Sequence, residues 1–81
     1  MRKYHLSADA VPEKEVIVNT EEEAIAWFAY FSALTNMRLG LDGEDAYCDY
    51  HGRNKEDADI CFADWASGCD MVYCEIIEEE D

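Results

Sequence analysis

TEEEAIAWFAYFSALTNMRLG, running from Thr20 to Gly40, is the longest stretch of this chain with an unbroken helical reading. Thr20 is a good N-cap residue, and Glu23 stands three positions on, at capping-box spacing. Glu21, Glu22 and Glu23 put negative charge in the first turn, where the helix dipole favours it. Arg38 falls in the last turn and Gly40 supplies the stop. Between Ala24 and Leu34 the only plainly polar residue is Ser32. Ala24, Trp27, Phe28 and Phe31 mark one face, which is expected to seat a sheet. Ala26, Ala29, Tyr30, Ala33 and Met37 fill the opposite side. A helix that is apolar nearly all round must be covered on more than one side. Its small residues, Ala26, Ala29 and Ala33, suit close approach by a second helix or by a second copy of the chain in a homodimer.

Working outward, Arg2 to Ala8 alternates Tyr4, Leu6 and Ala8 with Lys3, His5 and Ser7, the pattern of a half-buried strand. Asp9 to Lys14 holds the only proline, Pro12, and reads as a turn. Glu15 to Asn19, with Val16-Ile17-Val18 at its centre, reads as a second strand. On the other side, Leu41 to Asp45 is a turn with Gly43 at a positive-φ position. Ala46 to Tyr50 reads as a third strand. Asn54 caps an expected second helix, Lys55 to Ser67, ended by Gly68. Within it Ala58, Cys61, Phe62, Trp65, Ala66 and Cys69 recur at helical spacing, while Ile60 falls among the acids of the far side. Asp70 to Ile77 is the last strand, and Glu78 to Asp81 form an acidic tail. The expected order is β-β-α-β-α-β over a single domain, residues 1–81. This is an α+β fold: a mainly antiparallel sheet of about four strands with two helices on one face.

Composition narrows the function. The 81 residues include five Tyr, three Phe and two Trp, enough for a core and unlike a disordered acidic tail. No charge-free apolar run reaches membrane-spanning length, and the start, MRKYHLSADA, lacks the apolar core of a signal peptide. These readings point to a cytoplasmic protein with no membrane partner. The net charge is −14. It is also skewed. Residues 1–40 hold four Lys or Arg against six acids, a net of −2; residues 41–81 hold two against fourteen, a net of −12. Such a field repels nucleic acid and attracts a basic protein surface.

Catalytic and cofactor signatures are missing. The two histidines, His5 and His51, stand at no recognisable spacing from a nucleophile, and no glycine-rich phosphate loop occurs. The expectation is a non-enzymatic protein without a cofactor. Asp42-Gly43-Glu44-Asp45 with Asp49 is rich in oxygen but lacks the spacing of a calcium loop. Cys48, Cys61, Cys69 and Cys74 contain no CxxC pair and read as buried thiols, although Cys48 and His51, two residues apart, leave open a small Cys/His metal site with the other three.

What remains is the acids. Alternate residues on a strand, or residues four apart on a helix, lie about 6 Å apart and can imitate backbone phosphates. Glu56, Asp57, Asp59 and Asp64 form one such track. Glu75 with Glu78, Glu79, Glu80 and Asp81 extends it, as do Glu44, Asp45 and Asp49. Tyr47, Ile60 and Tyr73 supply apolar anchors. A solvated polar face is the rival reading, and the one-sided charge of residues 41–81 favours the track. In size, in that charge skew and in the ending EIIEEED, the chain resembles the small acidic inhibitors made by phages and mobile elements, the anti-CRISPR proteins and antirestriction DNA mimics. The resemblance is one of character, without a shared motif. It implies a basic nucleic-acid-binding partner, a CRISPR effector or a restriction enzyme, bound where that partner would hold DNA or RNA. An acidic interaction domain or dimeric accessory protein, without mimicry, is the alternative.

Overall fold

The computed structural model describes residues 2–43, 46–47, 60–65 and 70–79. Its strands are β1 (Arg2–Ala8), β2 (Glu15–Val18), β3 (Ile60–Trp65) and β4 (Met71–Glu79), and its helix is α1 (Glu21–Leu39), between β2 and β3. The sheet is antiparallel throughout, in the order β2-β1-β4-β3. One face of it carries α1. The fold is therefore α+β with a four-stranded antiparallel sheet, as the sequence indicates, but with one helix among the described residues instead of two.

The helix forms as its ends dictate. The Thr20 hydroxyl accepts the Glu23 backbone N–H at 3.1 Å. The same hydroxyl, and not the Thr20 backbone N–H of an ordinary capping box, meets the Glu23 carboxylate at 3.2 Å. At the other end Gly40 takes a left-handed conformation, φ 65° and ψ 35°, and its N–H returns to the Asn36 carbonyl. Ala24, Phe28, Phe31, Ser32 and Thr35 are buried against the sheet. They meet Tyr4, Leu6 and Ala8 of β1, Val18 of β2, and Val72 and Cys74 of β4, with Val11 of the β1–β2 connection closing one end. This apolar burial, at roughly 25 cal/mol per Å², is the main force holding the layers together. Trp27 departs from the expected seat: it is 38% exposed. A helix packed on a single sheet buries a stripe only about 100° wide, and Trp27 lies beside that stripe.

Two elements differ from expectation. The stretch read as a second helix, Lys55 to Ser67, contains β3 over its described part. Cys61 and Ala63 are buried at strand spacing, and β3 pairs with β4 from Ile60 opposite Glu75 to Trp65 opposite Met71. Six residues rich in Ile, Phe and Trp satisfy a period of two as well as one of 3.6, and pairing with β4 decides between them. Of the expected strand Ala46 to Tyr50, Ala46 and Tyr47 lie outside any strand, and residues 48–50 fall outside the described residues. Asn36 holds Tyr47 on both sides: its amide donates to the Tyr47 carbonyl at 3.0 Å and its oxygen accepts the Tyr47 N–H. Tyr47 is buried in the core, so it is no surface anchor.

Candidate functional site

The acids of the first forty residues each have a structural task. Asp9 ends β1, and its Oδ2 accepts the Met71 backbone N–H at 3.1 Å and the Tyr73 hydroxyl at 3.2 Å. Glu13, in the β1–β2 turn, pairs with Arg38 at the end of α1. Its own backbone N–H and then Arg38 hold its carboxyl below the usual carboxylate range. Glu15 on β2 binds the His5 ring at 2.8 Å through its Oε2. Glu21, Glu22 and Glu23 occupy the first turn of α1.

On β4 three acids are in register with His5, Lys3 and Arg2 of β1. Glu75 is across from His5, Glu78 from Lys3 and Glu79 from Arg2. A register shift between Lys3 and Tyr4 makes this possible: Tyr4 faces Ile76, and Lys3 faces Glu78 instead of Ile77. Cross-strand pairs of opposite charge stabilise a sheet modestly, by about 0.2–1 kcal/mol each. His5 thus stands on a central strand between two carboxylates, with Glu75 Oε2 3.9 Å from its Nδ1.

The residues read as a phosphate-like track divide accordingly. Ile60, Asp64, Tyr73, Glu75, Glu78 and Glu79 are in the sheet. Glu44, Asp45, Asp49, Glu56, Asp57, Asp59, Glu80 and Asp81 lie outside the described residues. Tyr73 is half-buried and engaged by Asp9. Burial, with Asp9 second, pushes its phenol above the ordinary value. Ile60 is half-buried opposite Glu75. The strand continues through Glu79, so Glu78 and Glu79 belong to the sheet and not to a tail.

No protein-family model, curated protein or solved structure matches the chain.

Of the cysteines, Cys61 and Cys74 are buried thiols, in no disulfide. Burial and then the neighbouring Cys61 push the Cys74 thiol up to about 12 from an ordinary 9.0. Cys48, His51 and Cys69, the other candidate ligands, lie outside the described residues. Among the described residues no three His, Cys, Asp or Glu side chains converge as a metal site, and no helix is long and apolar enough to cross a membrane.

A different constellation emerges on the outside of α1. Trp27 and Tyr30, 38% and 44% exposed, meet edge to face with ring centroids 5.5 Å apart. Beside them a cavity of about 280 Å³ opens between α1 and the β1–β2 turn, lined by Glu13, Lys14, Glu15, Val16, Trp27, Tyr30 and Phe31. A shallower hollow of about 260 Å³ is lined by Ala26, Trp27 and Tyr30. Periodicity assigns Trp27 to the sheet-facing side, which hides this pair. The clue in the sequence is the excess of apolar residues around α1. A single sheet cannot cover them all.

Proposed function

We propose that this chain is a non-enzymatic inhibitor that docks the acidic surface of residues 41–81 onto the basic, nucleic-acid-binding surface of another protein, as anti-CRISPR and antirestriction mimics do. The observation that supports it most is the difference between its two sets of acids. Those of residues 1–40 are used within the fold: Asp9 on β4, Glu13 on Arg38, Glu15 on His5, and three in the first turn of α1. Residues 41–81 carry a net charge of −12, a surplus that two cations cannot balance. Surplus like charge costs a small domain stability, and attraction to a basic partner gives it a use. Glu56, Asp57 and Asp59 are the acids best placed in sequence to make that contact, since Glu75, Glu78 and Glu79 are in register with His5, Lys3 and Arg2 of β1.

The test is capture from a host lysate on the immobilised chain, followed by elution with duplex DNA and with salt. A captured nucleic-acid-binding protein released by both is the expected result. A partner that binds DNA and the immobilised chain together would contradict mimicry.

A second reading, a homodimer through α1, is favoured by the outer stripe Ala26, Tyr30, Ala33 and Met37, which is exposed, Met37 at 71%. No charged residue interrupts the helix from Ala24 to Met37, so two copies can meet there with least repulsion. Sedimentation of the wild type and of Ala33→Glu checks it; a monomer at all concentrations removes this reading.

A further inference from the structure

We propose that the cavity between the β1–β2 turn and α1 receives an arginine side chain of the basic partner. The proposal rests on the reading of the partner as a basic protein and adds a specific anchor to a diffuse attraction.

The chemistry of the walls points to a guanidinium. Trp27, Tyr30 and Phe31 line one side, and aromatic rings attract a planar cation, arginine more often than lysine. Glu13 and Glu15 line the other side. Each is already held by a side chain of the fold, Glu13 by Arg38 and Glu15 through its Oε2 by the His5 ring. These partners fix the carboxylates in position, and Glu15 keeps its Oε1 for a ligand. A fixed carboxylate beside a ring is the environment in which a forked donor binds best. A volume of about 280 Å³ lies just below the range of drug-sized sites, roughly 300–1,000 Å³, and suits one side chain better than a cofactor. The charge of −14 brings cations toward the mouth. Lys14 also lines the cavity. With Arg38, already on Glu13, it opposes an incoming cation, and it supplies a control.

Full-length protein is titrated with the peptide acetyl-Gly-Arg-Gly-amide while the indole N–H of Trp27 is followed by NMR. The same peptide with citrulline, which keeps the shape and loses the charge, is run beside it. The expected result is a saturable shift with arginine and binding at least about threefold to fivefold weaker with citrulline. Tyr30→Ala, at an exposed position outside the core, should abolish the shift at Trp27 while circular dichroism stays unchanged. Glu15→Gln should weaken binding a few fold and Lys14→Gln should tighten it. Equal binding of the citrulline peptide, or no shift at Trp27, overturns the proposal. The fate of the function reading is separate. Chain carrying Glu56→Lys, Asp57→Lys and Asp59→Lys should bind the peptide within about twofold of wild type. Failure of the peptide with DNA-sensitive capture intact would therefore sink the pocket alone. The reverse outcome would sink the mimic and leave the pocket standing.

Discussion

Residues 1–40 and residues 41–81 use acidic side chains in opposite ways. In the first, six acids are distributed one to a task, on a hydrogen-bond donor, on a cation or in the first turn of α1. In the second, fourteen acids outnumber two cations, and those on β4 draw their partners from β1, at the other end of the chain. The first half, at a net of −2, is close to balanced, and it also places Arg2 and Lys3 across from Glu79 and Glu78 of the second. The other acids of the second half are concentrated in sequence before β3 and at the C-terminus. On the proposed reading, charge that serves the fold and charge offered to a partner can be separated by mutation.

The largest effect should come from the apolar scaffold. Phe28 is fully buried, and Phe28→Ala should cost about 3–5 kcal/mol, read by urea unfolding. A domain of this size has little more than that to lose, so most of the variant should be unfolded at 37 °C. Retention of a cooperative transition near the wild-type midpoint would mean that α1 is not the scaffold.

Next is the buried thiol of Cys74, raised from 9.0 to about 12. A pKa raised by folding contributes stability that is complete below pH 9 and disappears as pH climbs toward 12. Cys74 should also alkylate on the order of 1,000-fold more slowly at pH 8 in the native protein than in urea, because the thiolate is the reactive form. Peptide mapping by mass spectrometry checks this, and equal rates would place Cys74 outside the core.

Smaller still is Gly40→Ala. Nothing lies within 4 Å of the added methyl group, but φ is +65° there. The expected loss of about 1 kcal/mol is a pure backbone effect. At the low end, Glu75→Lys, which removes the carboxylate across from His5, should cost about 0.5 kcal/mol. The triple change Glu56→Lys, Asp57→Lys and Asp59→Lys should move stability by no more than about 0.5 kcal/mol per site. If the triple change unfolds the protein while Glu75→Lys does nothing, the division of acids proposed above is reversed.

The elements that could be read in sequence were those with chemistry at both ends. Thr20, the three glutamates and Gly40 delimit α1 regardless of what packs against it, and the alternation of Tyr4, Leu6 and Ala8 marks β1. β3 offered no such protection. Asn54 and Gly68 resemble helix ends, and Cys61, Phe62 and Trp65 fit either period. Ile60 was the misfit, apolar on the acidic side of a helix and ordinary in a strand. What decides the case is long-range: pairing from Ile60 to Trp65 with β4. The pairing of Glu78 and Glu79 with Lys3 and Arg2 was hidden for the same reason, since it depends on a register shift nearly the whole chain length away. The Trp27–Tyr30 pair is hidden in the sequence because periodicity puts Trp27 on the sheet-facing side, whereas in the fold it is 38% exposed.

The central claim is that the surplus charge of the second half, and not an apolar contact through Met37 of α1, carries most of the partner binding. It is tested most directly by capture from host lysate over a salt series with three forms of the chain: wild type, the Glu56→Lys, Asp57→Lys, Asp59→Lys variant, and Met37→Ser. The account predicts that wild type and Met37→Ser retain the same nucleic-acid-binding protein at low salt and release it as salt rises, while the charge-reversed chain never binds it. Capture that survives the three reversals and is lost with Met37→Ser would contradict it.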